Sequence, residues 1–168
     1  RFKVPLFIRS QHHRHRTWSY NEISRRYTDV NLEFYEPKEF RAQHKNNRQA
    51  SQTDHLVDPL VVFGTEQWGW SGKASGLVGK HHKNAVKLYE ALLRSGVCRE
   101  QARGVLPQNL YTEYYGTVNL NNLFKFIGLR SHEGAQWEIQ KVASACLDIA
   151  NSLYPITVGA YEEQTWNK

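Results

Sequence analysis

The sequence predicts an α+β fold, a mixed sheet with helices, in which most of the helix lies in the second half of the chain. Two short segments, residues 1–4 and 32–35, have the composition of strands, and the second ends just before Pro37. From residue 85 onward, apolar side chains recur at the three- and four-residue spacing of amphipathic helices. A chain of 168 residues, 40% of them hydrophobic, can bury one core, so we predict a single domain over residues 1–168.

Composition narrows the classes of function. The chain has 22 Lys and Arg against 16 Asp and Glu, and its net charge of +6 predicts acidic partners. Its densest apolar run, residues 59–63, is far shorter than a membrane span, so we expect no membrane insertion. Cys98 and Cys146 form no paired-cysteine motif, which suits a reducing cytoplasm. The sequence lacks methionine and begins with Arg1, so we expect a fragment of a longer protein.

Local signals predict the elements of the first half. Pro5 suits the first turn of a helix, so we predict a strand up to Val4 and then a helix over residues 6–16; a strand over residues 2–8 is the alternative. Residues 19–22 have the spacing of a capping box, which is typical of a helix start. Residues 38–79 are polar and rich in glycine, which predicts a long loop insert, with a short helix as an option.

Four helices are predicted in the second half. The first carries apolar residues from Ala85 to Leu93, a Glu90–Arg94 pair and Gly96 just past its end. The others are predicted over residues 99–106, residues 120–129, and from residue 134 to just before Pro155. Gly96, Pro107 and Pro155 mark the ends of three of these helices.

The densest candidate functional segment is residues 11–27. Four arginines lie between Arg14 and Arg26, and arginine forks bind phosphate through two parallel hydrogen bonds. A solvated basic face is the alternative interpretation. The segment also contains three histidines, His12, His13 and His15. Because no carboxylate or cysteine stands at a matching spacing, we interpret them as surface histidines and predict no metal site.

Residues 14–27 (RHRTWSYNEISRRY) closely resemble the signature of flavin-dependent thymidylate synthases. Residues 98–107 (CREQARGVLP) resemble a second motif of that family, and residues 110–112, Asn119, residues 129–130 and residues 135–140 (AQWEIQ) resemble further positions. These motifs occur in the family's order and span residues 1–152. Such a match is far more specific than any single short pattern.

The resemblance implies an activity and a fold. Members of the family convert dUMP to dTMP, taking the carbon from methylenetetrahydrofolate, with FAD reduced by NADPH. They assemble as homotetramers with active sites at subunit interfaces and use no cysteine nucleophile. The absence of an arginine cluster around either cysteine of this chain agrees with that.

The resemblance also implies roles for individual residues. Arg130 matches the arginine that stabilises negative charge on the pyrimidine, which makes it the predicted catalytic residue. The predicted substrate-binding residues are Gln11, Arg14, Glu22, Ser24, Arg25, Arg26, Arg103 and Arg130. The predicted flavin-binding residues are Arg14, His15, Arg16, Glu22 and Asn119.

Departures from the family pattern keep two alternatives open. Asn121, Lys125, Gly134 and Arg25 stand where other residues are usual, and the N-terminal part of the family fold is missing. One alternative is a noncatalytic relative that binds nucleotides or RNA, with bases stacking on aromatic and basic residues of the insert, Trp68, Trp70 and Lys73. The other is an enzyme that alkylates a different pyrimidine nucleotide.

Overall fold

The computed structural model describes residues 1–24, 32–47, 50–64 and 69–166. Within these ranges it contains strands and helices in mixed order, so the α+β prediction is confirmed. The strands are β1 (Phe2–Pro5), β2 (Ser19–Glu22), β3 (Phe40–Gln43), β4 (Ser51–Val57), β5 (Leu60–Phe63), β6 (Trp70–Lys73) and β7 (Tyr111–Thr117). The helices are α1 (Leu6–His12), α2 (Ala74–Arg94), α3 (Arg99–Ala102), α4 (Leu120–Arg130), α5 (Trp137–Leu153) and α6 (Pro155–Trp166).

The chain divides into two compact units, and the single-domain interpretation stays a prediction. The first unit contains residues 1–9, 21–42 and 52–115. Its main sheet has the order β1-β7-β2, with β1 and β7 antiparallel and Val4 opposite Thr112. Val4, Thr112 and Tyr114 are buried, and the rings of Phe2 and Tyr114 stack with centroids 5.2 Å apart.

The first 24 residues follow the predicted order of strand, then helix. β1 ends at Pro5 and α1 begins at the next residue, so the alternative of one strand over residues 2–8 is wrong. α1 ends at His12, four residues before the predicted end. The capping-box interpretation of residues 19–22 is also wrong, because these residues form β2. The predicted strand at residues 32–35 is reduced to one bridge, between Phe34 and Leu110.

Residues 38–79 are not the long loop that the sequence predicts. They contain β3 to β6 and the first turns of α2, with β3 paired to β4 and β5 paired antiparallel to β6. Asp58 fixes the start of α2. Its carboxylate accepts two hydrogen bonds from Ser75, one from the backbone N–H and one from the side-chain hydroxyl, both at 2.9 Å. These bonds lower the pKa of Asp58.

α2 starts eleven residues before the predicted apolar stretch and ends where the sequence predicts. The N–H of Gly96 donates to the carbonyl of Leu93, and the N–H of Val97 donates to that of Leu92, both at 3.0 Å. Gly96 has φ of 86°, so this ending is a Schellman motif. The Glu90–Arg94 pair is present at 3.9 Å.

The second unit contains residues 10–20, 43–51 and 116–168. Its core is made by the helices α4, α5 and α6, whose buried residues include Phe126, Ile127, Ile139, Ala143, Ala150 and Val158. Phe124 of α4 stacks on Tyr161 of α6 with centroids 4.3 Å apart. The sequence predicted neither α6 nor β7. None of the helices in the described ranges is both long enough and apolar enough to cross a membrane.

One titratable ring lies in the core of the second unit. His12 is fully buried, and its ring lies 4.4 Å from Trp18, 5.3 Å from Tyr20 and 4.7 Å from Phe126, centroid to centroid. Burial, reinforced by neighbouring cationic groups, lowers the pKa of His12 to about 3. The prediction of a surface histidine is therefore wrong for His12, which is a neutral core residue.

We predict that Gly96→Ala destabilises the protein by about 1 kcal/mol, because an L side chain at positive φ is strained. Gly76→Ala is the matched control: Gly76 lies within α2, and an added Cβ there, as at Gly96, meets nothing within 4 Å. We expect that control to be neutral or to stabilise by about 0.5 kcal/mol. Urea unfolding followed by circular dichroism measures both changes. Equal effects of the two substitutions would contradict the predicted role of Gly96.

The buried His12 predicts acid sensitivity. In the unfolded chain a histidine binds a proton near pH 6.5, whereas folded His12 stays neutral down to about pH 3. Unfolding therefore takes up a proton in this window, and stability falls as the pH falls. We expect His12 to account for a loss on the order of 2 kcal/mol between pH 7 and pH 5. In urea titrations, His12→Phe should flatten this dependence, while exposed His81→Gln should leave it unchanged.

Candidate functional site

The turn that follows α1 carries Arg14 and Arg16, two of the arginines of the sequence motif. Its backbone is closed by hydrogen bonds from the N–H of His15 to the carbonyl of His12 (3.0 Å) and from the N–H of Trp18 to the carbonyl of His15 (3.3 Å). The hydroxyl of Tyr20 donates to the same two carbonyls, at 2.7 and 3.1 Å. The turn is therefore held from inside, while the side chains of Arg14 and Arg16 are exposed.

Arg130, the last residue of α4, lies beside this turn in the second unit. Its Nε–H donates to Nε2 of His15 at 3.0 Å, and its Nη2 donates to the carbonyl of Gln11 at 3.4 Å. The structure thus brings together three residues that the sequence placed in the site, although Arg130 lies more than 110 positions from Gln11 and His15 in the chain.

The charges around Arg130 have the same sign. Burial lowers the pKa of Arg130, and the positive charge of Arg14 lowers it further. Burial and the positive charge of Arg130 likewise lower the pKa of His15, which keeps its ring neutral and able to accept a hydrogen bond. Two cationic guanidinium groups close together favour an anion, because a negative charge between them would relieve their repulsion.

A chain of side-chain amides extends the site to α5. Nε2 of Gln11 donates to Oε1 of Gln136, and Nε2 of Gln136 donates to Oε2 of Glu138 at 3.0 Å. Gln136 immediately precedes α5, and Glu138 lies in its first turn. The sequence motif at residues 135–140 contains both residues, but it gave no sign that Gln136 contacts Gln11.

Glu22 lies in the first unit and is held by two partners that the sequence analysis missed. Its Oε2 accepts from Nε and Nη2 of Arg9, at 2.9 and 2.6 Å, and its Oε1 accepts from the hydroxyl of buried Thr112 at 2.7 Å. Both carboxylate oxygens therefore have donors from the protein. These partners lie 13 and 90 positions away, and no local pattern connects them.

The other predicted site residues are placed separately. Asn119 is the N-cap of α4, where its side-chain oxygen accepts from the N–H of Asn122 at 2.9 Å. Arg103 is exposed in the first unit and donates to the carbonyl of Glu100 at 3.4 Å. Ser24 is half-buried. Arg25 and Arg26 lie outside the described residues, so their predicted roles stay predictions, as do those of the other residues.

Within the described residues, the hydrogen bonds of the candidate site residues involve neither cysteine. Cys98 is exposed, and its thiol donates to the side chain of Gln101 at 3.5 Å. Burial raises the pKa of Cys146 to about 11, so its thiol stays protonated at neutral pH. Within the described ranges, no three side chains of His, Cys, Asp or Glu come together as a metal-binding group.

Known proteins similar to this chain identify its family. A flavin-dependent thymidylate synthase from Thermus thermophilus is 45% identical over 161 residues, which cover 96% of this chain and 54% of that protein. One from Aquifex aeolicus is 44% identical over 144 residues, 85% of this chain and 42% of that protein. The chain thus spans about half the length of these relatives.

A solved structure is similar over almost the whole chain. The UMP/dUMP methylase PolB from Streptomyces cacaoi, bound with 5-Br UMP, is 30% identical and has a TM-score of 0.75 over 96% of this chain and 71% of that one. Residues 1–156 match the sequence model of the thymidylate synthase complementing protein family. The resemblance inferred from the motifs is confirmed, and the chain belongs to the thymidylate synthase complementing protein family.

Proposed function

We propose that this chain is part of a flavin-dependent enzyme that methylates the pyrimidine ring of dUMP, and that its second unit binds the anionic nucleotide through Arg14 and Arg130. Relatives named flavin-dependent thymidylate synthase and solved UMP/dUMP methylases support the reaction class. The observation that carries the proposal for this chain is the placement of Arg130, which is half-buried and bonded to His15 and to the carbonyl of Gln11, beside the turn that exposes Arg14.

The two arginines can bind the negative charge of a nucleoside monophosphate. A 5′-phosphate carries nearly two negative charges at neutral pH, and a guanidinium binds it through two parallel N–H···O bonds. The exposed side chain of Arg14 can reach a phosphate in solution, whereas Arg130 is half-buried and held by His15. We therefore assign Arg14 to the phosphate and Arg130 to the pyrimidine, the role that the family resemblance implies.

Methylation at carbon 5 of the pyrimidine requires electron density on the ring. A fixed guanidinium against a ring oxygen stabilises the negative charge that develops in the transition state, and it transfers no proton. The amide of Gln11, oriented by Gln136, is suited to hydrogen bonding at the edge of the same ring, since an amide both donates and accepts.

Of the residues predicted to bind the flavin, Arg16 is the one whose placement best suits FAD. Arg16 is exposed on the closed turn, and a guanidinium in this place suits the diphosphate of FAD. When bound, FAD supplies the reducing equivalents for the reaction. In the second unit, the acceptor atoms of His15 and Asn119 already have protein partners, so we expect neither residue to bind FAD through those atoms. Glu22, in the first unit, is likewise bonded to Arg9 and Thr112.

Further features of the proposed enzyme come from the family resemblance. We propose NADPH as the reductant, methylenetetrahydrofolate as the carbon donor, a homotetramer as the assembly and the cytoplasm as the location. Lys125 and Asn121, which depart from the family pattern, are both exposed on α4, and Gly134 donates its N–H to Nδ1 of His132 at 3.0 Å. These departures therefore alter the surface of the second unit and leave the bonds of Arg130 in place.

A second candidate substrate is UMP, because the similar solved structures are methylases of both UMP and dUMP.

The RNA-binding alternative has weaker support. Lys73 donates to the backbone carbonyl of Asp58 at 3.1 Å, and Trp68 lies outside the described residues.

We predict that the 5′-phosphate contributes much of the binding energy. Calorimetric titration of the full chain should show dUMP binding at least about 10²-fold more tightly than deoxyuridine, since charge-assisted bonds contribute on the order of 1.5–3 kcal/mol each. Arg14→Ala should remove most of this preference, while Lys125→Ala, a matched loss of charge on the surface of α4, should not. Titration with UMP under the same conditions compares the affinities for the ribose and the deoxyribose nucleotide. Equal affinity for dUMP and deoxyuridine, or RNA binding without nucleotide binding, would refute the proposal.

The cysteines should be dispensable for catalysis. We expect Cys98→Ser combined with Cys146→Ala to retain activity, with a stability loss of about 1 kcal/mol from the half-buried Cys146 site. The check is turnover of dUMP together with mass spectrometry after incubation with a fluorinated dUMP analogue. A covalent adduct on either sulfur atom would show that a thiolate takes part.

A further inference from the structure

The hydrogen bond between His15 and Arg130 has a role that the family motif does not indicate. We infer that His15 is a positioning residue, which accepts the Nε–H of Arg130 and thereby sets the direction in which the guanidinium faces the nucleotide. The inference rests on the proposed function for the identity of the ligand. It gives His15 a role on the pyrimidine side of the reaction, in addition to the flavin contact that the resemblance implies.

The ring of His15 is held in place on two sides. It contacts Phe126 edge to face, with centroids 4.9 Å apart, and lies 6.3 Å from the ring of His12. Its backbone carbonyl accepts the hydroxyl of Tyr20 at 3.1 Å. A histidine held at both its ring and its backbone can present Nε2 at one position, which is what an anchor for another side chain requires.

Helix geometry explains why the ring meets both Phe126 and Arg130. The two residues are four positions apart in α4, so their side chains project from the same face, one turn apart. The His15 ring packs against the first of these side chains and accepts a hydrogen bond from the second. Packing and hydrogen bonding therefore fix the same ring.

A guanidinium is planar, so two bonds determine where its remaining N–H groups point. Nε of Arg130 is bound to His15, and Nη2 is bound to the carbonyl of Gln11. Both bonds lie along one edge of the plane, which directs the edge formed by Nη1 and Nη2 away from the turn. Without the bond to His15, the longer 3.4 Å bond to Gln11 alone would have to hold this orientation.

The bond requires His15 to be an acceptor. Burial and the charge of Arg130 lower the pKa of His15, which favours the neutral ring. Tyr20 reaches His15 only through its backbone carbonyl, and the neighbouring His12 is itself neutral because of its burial. The tautomer with its proton on Nδ1 leaves Nε2 open to the Nε–H of Arg130.

The test compares His15→Gln and His15→Leu in the full chain. Glutamine places an acceptor oxygen close to the position of Nε2, whereas leucine has a similar volume and no acceptor. His13→Leu is the matched control, since it removes the neighbouring histidine, which stacks on Tyr20 at 4.0 Å. Two measurements are made on each folded variant: the ¹⁵N-resolved Nε–H signal of Arg130, assigned by its loss in Arg130→Lys, and calorimetric titration with dUMP.

We expect the exchange of the Nε–H of Arg130 with water to be at least tenfold faster in His15→Leu than in the wild-type chain, with dUMP binding weakened at least tenfold. His15→Gln should stay within about threefold of the wild-type chain in both measurements, and so should His13→Leu. Unchanged exchange in His15→Leu, or equal losses in folded His15→Gln and His15→Leu, would overturn the inference. If the wild-type chain binds no uridine nucleotide, the proposed function fails, and the exchange measurement alone decides whether His15 anchors Arg130.

Discussion

The geometry of the candidate nucleotide site depends on the burial of the His12 ring against Phe126. Both residues are fully buried, and their ring centroids are 4.7 Å apart. His12 ends α1 and Phe126 lies in the middle of α4, so this contact determines where the turn after α1 meets the helix that carries Arg130. Trp18 and Tyr20 complete the cluster around the same ring. A polar ring in such a place is tolerated because burial keeps it neutral.

The electrostatics of the site follow from that packing. Once the turn lies against α4, the positive charge of Arg14 adds to the effect of burial in lowering the pKa of Arg130. An arrangement of this kind costs stability in the ligand-free protein, and a bound anion offsets the cost. Proteins accept such local costs at binding sites, because the groups must be in position before the ligand arrives. The neutral His15 fits this account, since a third positive charge there would increase the repulsion.

The sequence predicted elements well where a single apolar face repeats at helical spacing. α4 and α5 were found for this reason, and Gly96 correctly marked the end of α2. α6 was missed because Pro155 was interpreted as the end of a helix, although proline is equally suited to the first position of the next one. β3, β5 and β6 were missed because they are only four residues long each. β4 was missed because its residues 53–56 are all exposed, so that it shows no alternation of buried and exposed positions.

The motifs predicted which residues form the site but not how they hold each other. Gln11, Arg14, His15 and Arg130 were all named from the resemblance, and the structure places them together in the second unit. The acceptor role of His15 could not be predicted, because its donor, Arg130, lies 115 positions away in the chain, and the burial that lowers the pKa of the ring arises only on folding. The donors to Glu22 were missed for a related reason: Arg9 and Thr112 reach the carboxylate only after α1 and β7 have packed. A motif therefore contains two kinds of residue, those that meet the ligand and those that hold them. Telling them apart requires the direction of each hydrogen bond, and the sequence does not contain that information.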